Sequence, residues 1–254
     1  MITAYHRPQT IEAAIALIIR PYPKTLPLGG GTTLAHSQPE PIEVVDLQAL
    51  GLNKIKKTGN YLEVGAMTTL QQLLENKDFP KPLQSALKLE APLNIRNAGT
   101  VGGTLIVSDA RSTFTTAMLA LDAKLITQPK DQEFLIGNLL PLRDGFLQGK
   151  VITRIVIPLN AEFAFHYVSR TISDKPILSI ALARWPFGRT RLAIGGYGKA
   201  PSLAMDGTES MGLEAAAYNA LREAGDSWAS AEYRQEIAAI LVRRCLATIN
   251  QKEK

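Results

Sequence analysis

The sequence predicts an α+β fold. Strand-like and helical segments mix along the chain without the strict alternation of a doubly wound sheet. Beyond Pro158 the texture changes to strand-like segments divided by Pro and Gly turns, and two helical segments close the chain. The 254 residues are enough to bury a large core without disulfide or metal staples.

The elements follow in order. From Thr10 to Arg20 the apolar residues Ile11, Ala14, Ile15, Leu17 and Ile18 keep helical spacing, with Thr10 as the cap. Thr25 to Leu28, three glycines, and the β-branched run Ile42 to Leu47 read as strand, loop, strand, a small β-α-β-like unit. Lys54 to Asn60 reads as a polar connector. Tyr61 to Ala66 then alternates like a half-buried strand, and Thr68 or Thr69 caps a helix through Leu74. A helix near Leu83 to Leu89, a loop from Asn94 to Gly103, a helix around Thr115 to Leu121, and strands at Lys124 to Thr127 and Val151 to Ile157 follow. Phe163 to Arg170, Ile177 to Arg184 and Arg191 to Gly195 form an expected antiparallel meander. Helices at Leu213 to Glu223 and Ser230 to about Asn250 end the chain. On the last helix Ile237, Ile240, Leu241, Cys245 and Ile249 share a face, which makes Cys245 a buried thiol.

Composition excludes several classes. Lys and Arg number 28 against 23 Asp and Glu, a net charge of +5, and the basic residues are scattered with no aromatic stripe for stacking bases, so nucleic acid is not an expected partner. Cys245 is the only cysteine, so an internal disulfide, a four-cysteine iron–sulfur cluster or a Cys-x-x-Cys zinc site cannot form within the chain. His6 and His36 have no spacing to each other or to a carboxylate that suggests a metal site. The serines lack the G-x-S-x-G setting of a nucleophile. No apolar run approaches the ~18 residues of a membrane span, and the N-terminus lacks a basic segment followed by an apolar stretch, so a cytoplasmic location is expected.

Two glycine loops carry the chemistry: Leu28-Gly29-Gly30-Gly31-Thr32-Thr33-Leu34 and Arg96-Asn97-Ala98-Gly99-Thr100-Val101-Gly102-Gly103-Thr104. Consecutive glycines let backbone N–H groups converge on an anion, and neighbouring threonine hydroxyls add neutral donors, which suits a pyrophosphate. A tight turn alone would account for either loop taken singly. Neither is a P-loop, since no Gly-Lys-Ser/Thr follows, and neither is the G-x-G-x-x-G of a dinucleotide-binding βαβ unit.

In this order the motifs resemble the FAD-binding (medium) subunit of molybdenum hydroxylases, the family of carbon monoxide dehydrogenase and xanthine dehydrogenase flavoproteins, within the wider superfamily that includes vanillyl-alcohol oxidase. The resemblance rests on Tyr5-His6-Arg7-Pro8, the Gly29 to Leu34 loop, Val44-Val45-Asp46-Leu47, Val64-Gly65-Ala66-Met67-Thr68-Thr69, the Arg96 to Gly103 loop, Ser230-Ala231-Glu232-Tyr233-Arg234 and Leu241-Val242-Arg243-Arg244. It implies a two-lobed FAD-binding fold of the vanillyl-alcohol oxidase/molybdopterin dehydrogenase type, with lobes at 1–55 and 56–160, and a C-terminal domain of small antiparallel sheet and helices at 161–254. It further implies that Leu28 to Leu34 and Thr100, Val101, Gly102 and Gly103 grip the FAD. The partners it implies are a molybdenum-cofactor large subunit and an iron–sulfur small subunit, and the role that of an electron-transfer oxidoreductase subunit with no catalytic acid or base of its own.

Departures from the pattern mark further positions. Thr104 stands where the family has Asn, and a hydroxyl replaces an amide that both donates and accepts. Thr113 aligns with an aspartate that contacts FAD, and Ser108 to Ser112 lacks the usual proline. Asp109 either compensates in part or is a solvated turn residue. Ile152 keeps the apolar character of a position against the cofactor. His166, where relatives often carry lysine, either donates a hydrogen bond there or is a surface strand residue. Thr104 and Thr113 motivate a rival reading, a flavin-less structural or regulatory paralogue. A stand-alone flavin reductase or oxidase is a third.

Overall fold

The computed structural model describes residues 1–34, 40–172, 174–208 and 211–251. His36 lies outside them. The chain divides into two compact units, one built from Met1–Asp78, Pro92–Val107 and Lys124–Ile157, the other from Phe79–Ala91, Ser108–Ala123 and Pro158–Lys254. Residues 79–91 and 108–123 belong to the unit that holds the C-terminal part.

The first unit opens with strand β1 (Ile2–His6), helix α1 (Ile11–Ile18), and strands β2 (Thr25–Leu28) and β3 (Ile42–Asp46). The strands form a parallel sheet in the order β1-β3-β2. Thr10 caps α1 as its spacing requires, its side chain accepting from the Ala13 N–H at 3.2 Å. The apolar stripe of α1 places Ala14 and Ile18 against Val45, Leu47, Met67 and Val151. Side chains from β1 and the segments after it converge on β3: His6 and Arg20 both reach Glu43, at 2.8 and 2.7 Å, while Tyr5 and Arg7 meet the buried Asp46. The Tyr5-His6-Arg7 motif thus serves the sheet.

A second sheet has the order β4-β5-β8-β6-β7, from β4 (Ile55–Thr58), β5 (Tyr61–Gly65), β6 (Lys124–Gln128), β7 (Gln132–Leu135) and β8 (Val151–Pro158). The expected polar connector at 54–60 is in fact an edge strand, whose Lys56 and Lys57 face water. Helix α2 (Leu70–Glu75) begins with a capping box in which Thr69 and Gln72 each accept from the other's backbone N–H. The expected loop at 94–103 is largely helical. It contains α4 (Leu93–Ala98) and the start of α5 (Val101–Val107), joined through Gly99 and Thr100. Helices α7 (Ile136–Leu139) and α8 (Arg143–Phe146) lead into β8.

In the second unit β9 (Glu162–Val168), β10 (Leu178–Arg184), β11 (Thr190–Gly195) and β12 (Ser202–Gly207) form the antiparallel meander. On one face α9 (Leu213–Ala220) and α10 (Ala231–Asn250) bury Leu178, Ile180, Leu182, Leu192 and Ile194 against Leu213, Ala217, Leu241, Val242 and Cys245. Cys245 is fully buried, as its helical face requires. Helices α3 (Lys81–Glu90) and α6 (Thr113–Ala120) also pack on the meander. All eight residues of α6 are buried. Its N-terminal turn is closed by the Glu90 carboxylate, which accepts from the Phe114 N–H and the Ser112 hydroxyl, both at 2.8 Å. Burial holds the Glu90 carboxyl above the ordinary range, opposed by these two hydrogen bonds.

Candidate functional site: a glycine-lined cleft

The two glycine segments meet within the first unit. A cleft there is lined by Pro27, Gly29, Gly30, Gly31, Thr32, Thr33, Leu34, Thr100, Gly103, Thr104 and Val107. The approach of the two walls is close enough to demand glycine. A Cβ at Gly30 would stand 1.7 Å from the Ala98 carbonyl oxygen, and one at Gly29 would stand 2.8 Å from Thr100 Oγ1. Gly31 has φ +72°, a conformation glycine adopts without strain.

The two walls differ in what they offer. Along the first, no described residue accepts a hydrogen bond from the backbone N–H groups of Gly29 to Leu34. Six successive donors beside a cleft, with no acceptor among the described residues, suit an external acceptor. Along the second wall the donors of residues 101–104 are engaged. Val101 N–H donates to Thr68 O at 2.8 Å, Gly102 N–H to Ala66 O at 2.9 Å, Gly103 N–H to Thr100 Oγ1 at 3.2 Å and Thr104 N–H to Thr100 O at 2.9 Å. At 101–104 these donors are met by Thr68 and Ala66 from outside the helix and by Thr100 in its first turn. An isolated bridge between Thr69 and Thr100, and a bond from Leu70 N–H to Gly99 O at 2.9 Å, fix this wall in place.

The remaining candidate residues fall elsewhere. Leu28 ends β2 and packs beneath Gly31. Val101 and Gly102 are buried behind the wall, Gly102 so close to Ala66 that a Cβ would lie 2.9 Å from the Ala66 Cβ. Ile152 is a buried residue of β8, opposite Thr127, and does not line the cleft. The other three belong to the second unit. Asp109 is exposed and accepts from Lys175 Nζ at 3.0 Å and from the Arg111 N–H at 2.9 Å, the pattern of a turn residue. Thr113 is fully buried and its hydroxyl donates to Ala86 O at 2.6 Å, so it presents no group to a ligand. His166 is half-buried, with Nε2 3.0 Å from Thr248 Oγ1 of α10; burial, then Arg244, lowers its pKa. Pro27 and Val107 line the cleft without having been singled out in the sequence, since an isolated Pro and Val carry no signal of their own.

No charged side chain is among the described residues lining the cleft. It can therefore meet an anion with backbone N–H groups and hydroxyls, the donor set that suits the pyrophosphate of a dinucleotide. The glycines keep Cβ atoms off that surface. On these grounds the residues fit FAD.

A bare-backbone cleft on a unit of one three-stranded parallel sheet and one five-stranded sheet suits a phosphate-bearing cofactor. A family model described as the FAD binding domain in molybdopterin dehydrogenase matches residues 1–160, and the chain belongs to that family. It is an oxidoreductase family, and FAD is its cofactor. The chain is 26% identical over 261 residues to "Uncharacterized protein YgfM" of Escherichia coli (strain K12), covering 99% of this chain and 98% of that one. It is 26% identical to the carbon monoxide dehydrogenase medium chain of Afipia carboxidovorans, over 98% of this chain and 97% of the relative. In fold it is similar to a chain of the reconstituted CO dehydrogenase from Oligotropha carboxidovorans, with a TM-score of 0.80 at 24% identity over 97% of this chain and 96% of that one.

Proposed function

We propose that this chain is the FAD-binding electron-transfer subunit of a molybdenum hydroxylase-type complex, located in the cytoplasm. It takes electrons from iron–sulfur clusters on a small partner subunit, and a large partner carries the molybdenum cofactor. The observation that carries the reading is the row of N–H donors at Gly29 to Leu34 with no acceptor among the described residues, in a cleft also lined by Thr100, Gly103 and Thr104. Bound FAD supplies the capacity to accept electrons singly and release them as a pair.

The chain's own residues hold and orient. The Gly29 to Leu34 amides cradle the phosphates, Thr100 braces the opposite wall, and Gly30 lets the two walls abut. Among the described residues no group of His, Cys, Asp and Glu could hold a metal ion, and the one cysteine is buried in α10, so metal centres are assigned to the partners. The intact first wall counts against the flavin-less paralogue.

The test is isolation of the tagged chain from its native cell under gentle conditions, followed by metal analysis of what accompanies it. Two further polypeptides carrying molybdenum and iron support the proposal. A chain that isolates alone, or with partners free of both metals, refutes it.

A further inference from the structure

We infer that the second unit carries an anion site, in which Arg111 and Arg170, both stacked on Trp228, take an organic carboxylate. Three segments distant in sequence converge there: the turn before α6, the connection from β9 to β10, and the turn before α10. The guanidinium carbons of Arg111 and Arg170 lie 4.1 and 4.9 Å from the centroid of the Trp228 ring, and Trp228 is 42% exposed. Backbone carbonyls hold both groups in place. Arg111 Nε donates to Pro176 O at 2.9 Å and its Nη2 to Lys175 O, while Arg170 Nη2 donates to Trp228 O at 2.9 Å.

Two like charges brought to one ring repel each other, and among the described residues no carboxylate forms an ion pair with either guanidinium. The neighbouring carboxylates are committed elsewhere. Asp109 meets Lys175 Nζ at 3.0 Å, and Asp226 accepts from Arg234 through both oxygens at 2.9 Å. The carbonyl bonds fix the two arginines without cancelling their charge, and Arg111 Nη1 and Arg170 Nε and Nη1 have no acceptor among the described residues. A bound oxyanion would relieve the repulsion and meet N–H groups already oriented, so little rotamer freedom is lost on binding. The exposed part of the indole adds apolar contact for a carbon skeleton, which favours an organic carboxylate over inorganic phosphate.

The test uses the full-length purified chain. It has two tryptophans, so Trp185→Phe, at the β10–β11 turn, leaves Trp228 as the only indole, and its emission reports from the site itself. That emission is titrated with glutarate, with a Glu-rich peptide, with inorganic phosphate, and with sodium chloride at matched ionic strength; calorimetric titration of the wild type gives an independent readout. A saturable change is expected with glutarate or the peptide, tighter than with phosphate and absent with chloride. Tighter binding of glutarate marks the source as a small molecule, and tighter binding of the peptide marks it as an acidic segment of a partner. Arg170→Gln, exposed and with one backbone bond to lose, should keep a near wild-type Tm and weaken binding about tenfold, the scale of one hydrogen bond to a charged group. A response to both carboxylates no greater than to chloride overturns the assignment, as does phosphate binding as tight as theirs or an unchanged affinity in Arg170→Gln.

Discussion

Gly30→Ala tests the abutment of the two walls with least ambiguity. A Cβ at residue 30 would lie 1.7 Å from the oxygen, 2.5 Å from the carbon of the Ala98 carbonyl, and 3.1 Å from Gly99 N. These are backbone atoms and cannot rotate away. Restoring even a 3.0 Å contact requires the loop and the end of α4 to part by about 1.3 Å. Overpacking on this scale costs about 1–3 kcal/mol, and in a chain of this length each kcal/mol lowers Tm by roughly 2–4 °C. Gly31→Ala is the matched control: its Cβ would meet only Leu28 Cδ1 at 3.6 Å, so the penalty is the strain of φ +72° alone, about 1 kcal/mol. The assay is thermal unfolding of the ligand-free chain alongside an FAD titration. Gly30→Ala should melt lower than Gly31→Ala and bind FAD at least tenfold more weakly than wild type. If Gly30→Ala melts with the wild type, the walls do not abut as described.

Three further outcomes are expected. Arg234 is fully buried and donates to both Asp226 oxygens at 2.9 Å and to Ala229 O at 3.1 Å, so Arg234→Met should cost about 3 kcal/mol in urea unfolding, and a loss below ~1 kcal/mol would contradict this hub role. Burial pushes the Cys245 thiol up to about 12, so iodoacetamide should alkylate it only on unfolding; rapid labelling of the native chain would place it elsewhere. The hydrogen bond from His6, aided by Arg20, holds Glu43 below the ordinary carboxylate range, so its stabilisation is present above that range and lost as pH falls through the lowered value. Between pH ~5 and ~3 the wild type should therefore lose more stability than Glu43→Gln; equal losses would remove Glu43 from the account.

What the sequence shows and hides has a physical pattern. Helices with a side-chain cap were legible: Thr10, Thr69 and Ser230 each accept from an N–H three residues on. Four strands escaped, β1, β4, β7 and β12, and each is a sheet edge, where one side faces water and the residues lack a clean apolar alternation. Gly99, Gly102 and Gly103 read as breakers, yet Gly102 and Gly103 lie inside α5, because contact with Ala66 leaves no room for a side chain at 102. The first glycine loop was legible as a donor row from composition alone. That the Val101 and Gly102 donors are engaged was not, since their acceptors Thr68 and Ala66 lie more than thirty residues away in the sequence. Likewise nothing local to Thr113 or His166 discloses that their partners are Ala86 and Thr248.

The central claim is that the Gly29 to Leu34 amides hold the cofactor, and amide hydrogen exchange reads those amides themselves. In the free protein the 29–34 segment should exchange quickly and the 101–104 segment slowly, because among the described residues only the latter has hydrogen-bond acceptors. Saturating FAD should slow exchange at 29–34 and leave 101–104 nearly unchanged. Unaltered exchange at 29–34 with FAD bound, or protection gained only at 101–104, would contradict the account.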